Sequence, residues 1–422
     1  MPDSCLYITF TKSQDVYFPG SVIEGIAHLV LNEPIKARTL TVGLDCRAHT
    51  SYDVSRSRTV TDSDGKSSSE NYTESYSATT VYANVETIVW TSPPDGKEVM
   101  PAGTYQYPFV FKLPLDLPPS FEGSYGYIRH MVKMELDRPW RFNKRDKKAF
   151  TVLPTFDLNT IPEAIMPVTE FKVKKLGIIL FRHGEVAVEC EIPKGGFVPG
   201  EMIVVNAQVI NDSSKNIVKG KIKLLEVSNY VGYNVGKTIP QSPYLVNVRG
   251  DNHREQRRKI ATGEQELCIA KNSKGNVQLY LQVPSTVPSF NYCPIIKVEY
   301  VVELKFESTG SLNSNIETAV PVIIGTIPIR ERLSQEPTPT SSKIYPSLPE
   351  MDSPPPYSQE NIQGDSLLPP FSYVESVKGI EGTVIDKYSI ELYVPRYPFY
   401  SQLSEINKKA EEGDGKKPLD RP

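Results

Sequence analysis

Short runs of alternating apolar and polar residues, broken by turn residues, constrain the fold of residues 1 to about 330 more than any other feature. In Leu6–Phe10, Ser21–Leu31 and Thr39–Cys46, apolar or β-branched side chains tend to recur at every second position. This period places alternate side chains on opposite faces of a β-strand. Because no amphipathic helical pattern longer than two turns interrupts the runs, we expect an all-β fold built from antiparallel β-sandwiches.

Residues 53–76 break this pattern. They are rich in Ser, Thr and Asp and show no apolar periodicity. Polar segments of this composition usually form loops. We therefore expect a long exposed loop here.

The chain repeats itself at the scale of a whole domain. The hexapeptide Phe18–Ile23 reads FPGSVI and is echoed by Val198–Ile203, which reads VPGEMI. Leu113–Phe121 and Val283–Phe290 likewise share an apolar residue before proline and a later Pro-Ser-Phe. The long alternating strands that follow these two segments are Tyr127–Leu136 and Ile295–Leu304. A repeat of this length is a domain rather than a solenoid unit, so two similar sandwiches in tandem are expected.

The repeat also sets the expected domain boundaries. The first sandwich should cover residues 1–153 and the second residues 168–330. Residues 154–167 contain three prolines and should form a short, stiff linker. Residues 331–422 form a tail, whose Pro-, Ser- and Thr-rich part cannot bury enough apolar surface to offset chain entropy. We expect this tail to be largely disordered.

One tetrapeptide in the tail predicts a binding function. Pro354, Pro355 and Pro356 hold the backbone near polyproline II, and Tyr357 follows them directly. A WW domain recognises this P-P-x-Y arrangement, because two aromatic rings grip the proline ridge and a second pocket takes the tyrosine. The alternative interpretation is a solvated proline linker without a partner.

Several segments of the two repeats resemble a known family. Pro118–Arg129 contains P-P-S-F-E-G and G-Y-I-R, and Asp137–Trp140 reads D-R-P-W. Val287–Tyr300 contains V-P-S-F and C-P-I-I-K-V-E-Y, and Phe197–Glu201 reads F-V-P-G-E. These segments resemble the signatures of the N-terminal and C-terminal arrestin domains and the turn that opens the second one. The resemblance covers about residues 5–327.

Two such domains followed by a PPxY motif are the layout of the α-arrestins, also called arrestin-domain-containing proteins. The resemblance implies a cytosolic, non-enzymatic adaptor without cofactors. Such an adaptor links transmembrane cargo or receptors to a WW-domain HECT ubiquitin ligase and promotes ubiquitination, endocytosis and endosomal sorting. Its expected location is the cytoplasm, with recruitment to the plasma membrane and endosomes. The alternative is a ubiquitin-independent arrestin-like trafficking scaffold, against which the PPxY motif argues.

Only one strict PPxY copy is present, although many family members carry two. In Leu368–Tyr373 the tyrosine comes one position too late, and Val394–Tyr397 lacks the first proline. A single motif should bind one WW domain at modest affinity, without the gain that a pair provides. Either degenerate copy remains a candidate for a weak additional contribution to WW binding.

A basic cluster lies between the predicted strand Tyr127–Leu136 and the apolar run Phe150–Leu153. Its cations are Arg138, Arg141, Lys144, Arg145, Lys147 and Lys148. On a hairpin, they could attract anionic lipid headgroups or a phosphorylated cargo tail, or could simply protect a sheet edge from pairing. A smaller basic cluster at His253–Lys259 is a candidate for the same roles.

Two further tail segments are candidates. Tyr345, Pro346 and Leu348 fit the Y-P-x-L pattern of a vesicle-sorting peptide, a pattern that also recurs by chance. Val384–Val394 is apolar enough to pair as a strand, and it could fold back on a sandwich edge or bind cargo or ligase.

Other function classes find little support. The formal net charge of −3 gives no support for nucleic-acid binding. The five cysteines include no CxxC pair, which argues against a metal or redox pair and favours free thiols in a reducing cytosol. There is no P-loop, GxSxG, GxGxxG or HExxH motif, and the five histidines lack metal-ligand spacing. With no signal-peptide pattern and no apolar run of membrane-spanning length, any membrane role should be peripheral.

Overall fold

β-Strands dominate the part of the chain that the computed structural model describes, which is residues 4–94, 98–178, 181–235, 253–310, 315–330, 369–377 and 393–403. The strands of the first domain are β1 Ser4–Phe10, β2 Val16–Tyr17, β3 Val22–Leu31, β4 Ile35–Lys36, β5 Thr39–Thr61, β6 Ser67–Thr91, β7 Val99–Met100, β8 Gly103–Lys112, β9 Phe121–Gly123, β10 Gly126–Asp137 and β11 Lys144–Val152. A 3-10 helix, Leu158–Thr160, and one turn of α-helix, α1 Pro162–Ile165, follow them.

The second domain is also made of strands. They are β12 Val168–Ile178, β13 Phe181–Ile192, β14 Gly196–Phe197, β15 Met202–Ser213, β16 Ile217–Val231, β17 Tyr233–Asn234, β18 His253–Ile269, β19 Ser273–Gln282, β20 Ile296–Ser308 and β21 Asn315–Ile324. Two short strands from the tail, β22 Ser372–Glu375 and β23 Arg396–Phe399, complete the described chain.

Each domain packs one sheet against another. In the first domain a sheet of order β1-β3-β8 covers a larger one of order β17-β6-β5-β10-β11-β2, with β9 added to β10. Ile23, Leu29, Val132, Met134 and Phe150 fill the space between them. In the second domain the orders are β12-β13-β15-β19 and β14-β21-β20-β16-β18. The expected all-β fold of two sandwiches is confirmed.

The internal repeat is visible in the topology. In the first domain β2 pairs in parallel with β11, through Val16 and Thr151, before the Pro19-Gly20 turn. In the second domain β14 pairs in parallel with β21 in the same way, before Pro199-Gly200. Both turn glycines have a positive φ, 77° at Gly20 and 98° at Gly200, a conformation that a side chain would strain.

The expectation of a long exposed loop at residues 53–76 is wrong. β5 and β6 continue as one paired hairpin from Thr39 opposite Thr91 to Thr61 opposite Ser67. Beyond Asp53 most side chains on both faces are exposed, so no apolar alternation is needed there. Cross-strand pairs such as Arg58 with Glu70 support the extension, and only residues 62–66 form the turn.

The two domains share strands and core at their junction. β17 belongs to the second domain in sequence, but it extends the first domain's sheet by pairing Tyr233 with Ser77. One continuous group of buried side chains includes Phe121 and Ile128 of the first domain and Tyr230 and Phe290 of the second. The junction is therefore a packed interface.

Candidate functional site

The WW motif, Pro354 to Tyr357, and the Tyr345–Leu348 sorting motif lie outside the described residues. The chain on either side of them is described. Before them, Ile329 packs against an apolar cluster that contains Leu158 and Tyr400, and the backbone N–H of Arg330 donates to Asn159 Oδ1 at 2.9 Å. After them, the Phe371 ring lies 5.2 Å from the Tyr400 ring of that cluster, tilted by 48°. The segment that carries both motifs therefore begins and ends beside one apolar cluster.

That cluster is held by the C-terminal hairpin, which we define as the paired strands β22 and β23 with their flanking described residues. On the first domain, Tyr397 is almost fully buried and its hydroxyl donates to the Ser120 carbonyl at 2.7 Å. Arg396 donates its backbone N–H to Thr151 Oγ1 at 3.1 Å, and Tyr393 Oη lies 3.1 Å from the same oxygen. Burial raises the pKa of Tyr397 well above its usual value.

The same hairpin contacts the second domain. Ser285 Oγ donates to the Val374 carbonyl at 2.8 Å, and the backbone N–H of Val377 returns a bond to the Ser285 carbonyl. Tyr400, also buried, donates its hydroxyl to the Thr326 carbonyl at 2.6 Å. The hairpin thus contacts both domains. The predicted strand at 384–394 lies mostly outside the described residues.

Both degenerate proline motifs contribute their tyrosine to this hairpin. Tyr397, the tyrosine of Val394–Tyr397, is only 2% exposed, so a WW pocket cannot reach it. Tyr373, the tyrosine of Leu368–Tyr373, is paired in β22, and burial raises its pKa to about 12. Both tyrosines serve to dock the hairpin.

Buried charges lie close to Tyr397 at the domain junction. Arg129 of β10 forms a two-bond pair with Glu122 of β9, at 2.7 and 2.9 Å, and its guanidinium stacks over the Tyr127 ring. Arg258 of the second domain pairs with Glu226 at 2.8 Å. It also donates to the Glu122 carbonyl at 3.4 Å, which connects the two pairs.

This charged junction was missed by the sequence reading. Glu122 and Arg129 are part of the first signature segment, but their partners in the second domain are distant in the sequence. Arg258 belongs to the smaller basic cluster, for which lipid binding was considered, and Arg254 of that cluster stacks over Tyr125 of the first domain. Both side chains therefore take part in the domain interface.

The larger basic cluster is not a single patch. Strand alternation places Arg145 and Lys147 on one face of β11, and Lys144 and Lys148 on the other. Arg145 is bound to Glu135 at 2.7 Å, and Lys148 lies over the Phe10 ring and 3.7 Å from Asp15. Arg138 and Arg141 lie apart from these, in the turn between β10 and β11.

Two aromatic side chains share that turn with the arginines. Trp140 and Phe142 are fully exposed, with 101% and 97% of their reference accessible areas. In the sequence, Trp140 belongs to the D-R-P-W segment that carries the family resemblance. The sequence signal for this exposed aromatic pair is the alternation of arginine with aromatic residues at 138–142.

An apolar cleft of about 650 Å³ lies at the junction, with Phe156, Phe290 and Tyr292 among its lining residues. The lining residues that the structure describes include no histidine or cysteine, and Ser289 accepts a bond from the backbone N–H of Ile324. In the described ranges no group of three or more His, Cys, Asp or Glu side chains could hold a metal ion.

Cys293 and His130 are structural. Cys293 is buried, and burial raises the pKa of its thiol, which disfavours the reactive thiolate. His130 is fully buried beside the Pro118 carbonyl, and burial lowers its pKa to about 4. As for membrane spans, no helix within the described ranges is both long and apolar enough to cross a bilayer.

Comparison with known families agrees with this architecture. Residues 6–159 match the arrestin (or S-antigen) N-terminal domain, and residues 182–329 match the arrestin (or S-antigen) C-terminal domain.

Similar curated proteins carry the same domains. Arrestin domain-containing protein 17 of Caenorhabditis elegans is 30% identical over 84% of this chain and 79% of its own length. Human arrestin domain-containing protein 4 is 27% identical over 94% of this chain and 91% of its own length. Human thioredoxin-interacting protein is 29% identical over 75% and 79%. Two packed arrestin sandwiches and these relatives show that the chain belongs to the α-arrestins, a family of non-enzymatic adaptors.

Proposed function

We propose that the chain recruits a WW-domain HECT ubiquitin ligase through Pro354, Pro355 and Tyr357, and so brings the ligase to transmembrane cargo. The observation that carries this proposal is the strict P-P-P-Y sequence behind two arrestin domains. Polyproline stiffness reduces the ordering entropy that docking costs. Ligase recruitment then raises the effective concentration of ubiquitin transfer at cargo lysines. The chain would act in the cytoplasm and at the plasma membrane and endosomes.

The anchoring of the tail supports a single docking site. Because Tyr373 and Tyr397 are engaged by the domains, Tyr357 is the tyrosine left for a WW pocket among the three proline-linked candidates. The described residues on either side of the motif, Ile329 and Phe371, pack against one apolar cluster of the domains. A ligase bound there would stay close to whatever the sandwiches hold.

The direct test is a titration of a WW domain with a peptide spanning residues 347–363. We expect binding in the micromolar range that Tyr357→Ala removes. Phosphorylation of Tyr357 should also abolish binding, because the pocket for the ring would have to accept a bulky dianion. If the unmodified peptide does not bind, the ligase link fails and the ubiquitin-independent scaffold becomes the better account.

One relative is named thioredoxin-interacting protein, and we do not assign a thioredoxin partner to the buried cysteines of this chain. Cys293, Cys46 and Cys190 are buried, and the pKa of each thiol is raised mainly by burial. Disulfide exchange needs an accessible thiolate. The described geometry therefore offers these three cysteines no route to a mixed disulfide.

A further inference from the structure

The turn between β10 and β11, residues 138–143, is called the aromatic turn below. It exposes Trp140 and Phe142 completely, with only Arg141 between them. Large aromatic side chains are usually at least half buried in folded proteins, because each carries an apolar area of about 150–250 Å². Two such rings exposed side by side indicate a surface that is covered by something else in use.

The exposure results from an ordered turn. At its base, Arg38 pairs with Asp137 at 2.9 Å. Asn143 Oδ1 accepts the backbone N–H of Arg138 at 3.1 Å, and Asn143 Nδ2 donates to Glu135 at 2.6 Å. Trp140 has a φ of 61°, a conformation that costs energy for a residue with a side chain. The chain therefore holds the rings outward from a fixed base.

The charge around the rings is positive. Neither the Arg138 nor the Arg141 guanidinium is paired with a carboxylate of the described residues. The nearest acids along the chain are already engaged, since Asp137 is bound by Arg38 and Glu135 by Arg145 and Asn143. Two arginines without a carboxylate partner among the described residues thus flank and separate two exposed aromatic rings.

We propose that the aromatic turn inserts Trp140 and Phe142 into the interface of a bilayer that contains anionic lipids, with Arg138 and Arg141 bound to headgroup phosphates and carboxylates. Tryptophan partitions to the boundary between headgroups and acyl chains. Arginine beside an anionic surface adds about fivefold per cation to the binding constant. A phosphopeptide fits less well, because it would use the arginines and leave both rings in water.

This inference is independent of the ligase link. The two fail separately, since vesicle binding should be the same in the Tyr357→Ala variant. The probe is flotation of the full chain with phosphatidylcholine vesicles, with and without phosphatidylserine. We expect binding only when phosphatidylserine is present, and weaker binding at high salt.

Two double variants test the aromatic rings and the arginines of the turn separately. Trp140→Ser with Phe142→Ser should weaken binding about tenfold or more, because the apolar contact with the lipid is lost. Arg138→Gln with Arg141→Gln should also weaken it about tenfold or more. The matched control is Val81→Ser with Val110→Ser, which removes two exposed apolar side chains of the same domain, paired with Arg47 and Glu24 in the strands, and should change nothing.

Fluorescence tests insertion directly. The chain has two tryptophans, and Trp90 packs against the first sandwich core, so Trp90→Phe leaves Trp140 as the single reporter. On phosphatidylserine vesicles its emission should shift to the blue and be quenched by brominated acyl chains. Unchanged emission, or binding that survives loss of both aromatic residues, would overturn insertion. So would a phosphorylated peptide that shifts Trp140 emission where vesicles do not.

Discussion

Single buried residues explain why the first signature segment matters for stability. Arg129 and Glu122 satisfy one another at the junction, and the guanidinium also covers the Tyr127 ring. A buried charge that loses its partner is far costlier than an exposed one. The pair therefore couples the integrity of β9 and β10 to the second domain, whose Arg258 reaches the Glu122 carbonyl.

Replacing one partner tests this coupling. Arg129→Met should lower the free energy of unfolding by about 3–5 kcal/mol, since Glu122 would be left buried and unpaired. Arg129→Met combined with Glu122→Gln should recover much of this loss. The control is Arg58→Met, which breaks an exposed pair with Glu70 and should cost less than about 1 kcal/mol. Urea unfolding of the variants measures these changes. Equal losses of unfolding free energy in Arg129→Met and Arg58→Met would contradict the predicted cost of breaking the buried pair.

His130 should make stability depend on pH. Burial lowers its pKa in the folded chain to about 4, whereas an unfolded histidine titrates near 6.5. Between pH 6.5 and 4, His130 is therefore protonated in the unfolded chain but largely neutral in the folded chain. Titration of His130 therefore leaves the free energy of unfolding unchanged above pH 6.5 and lowers it by up to about 3 kcal/mol as the pH drops to 4.

The measurement is urea unfolding of the wild type and His130→Gln between pH 4 and 7. The variant should show a smaller fall over this window, because glutamine does not titrate. A wild type and a variant with the same pH slope would rule out His130 as the source.

At the scale of elements, the sequence predicted strands well where one face is buried. The predicted Tyr127–Leu136 lies within β10, and the predicted Ile295–Leu304 matches β20 from Ile296 onward. Alternate side chains are buried along β20 and along the second half of β10. The hairpin extension at 53–76 was mispredicted, since its stability comes from cross-strand polar pairs. β22 and β23 were not predicted, because their anchors, Ser120, Thr151 and Ser285, are far away in the chain.

Removing the C-terminal hairpin should loosen the domain junction. A chain ending at residue 368 loses Tyr397 and Tyr400, two fully buried rings, and should melt about 5–10 °C lower than wild type. Hydrogen exchange should quicken around Ser120 and Ser285, the contacts of the hairpin on the two domains. A chain ending at Leu403 keeps the hairpin and serves as the control. Unchanged melting and exchange in the shorter chain would show that the hairpin contributes nothing.

For the whole molecule, the structure describes two sandwiches joined by β17, by buried charges and by the C-terminal hairpin. This arrangement leaves the segment with the PPxY motif attached at both ends to the domains. The family and fold could be predicted from the sequence, because their signatures are local. The junction could not, because it is made by residues that meet only after folding. The position of the aromatic turn between two strands could be predicted from the sequence, but the exposure of its two rings could not.

The measurement that tests the adaptor account most directly is a calorimetric titration of the full chain with a WW domain of a HECT ligase. We expect one site, with an affinity close to that of the isolated peptide, and complete loss of binding in Tyr357→Ala. Tyr373→Phe and Tyr397→Phe should leave the binding unchanged, since these rings are held by the domains. Binding that persists in Tyr357→Ala, or a second site that disappears with Tyr397→Phe, would contradict the account.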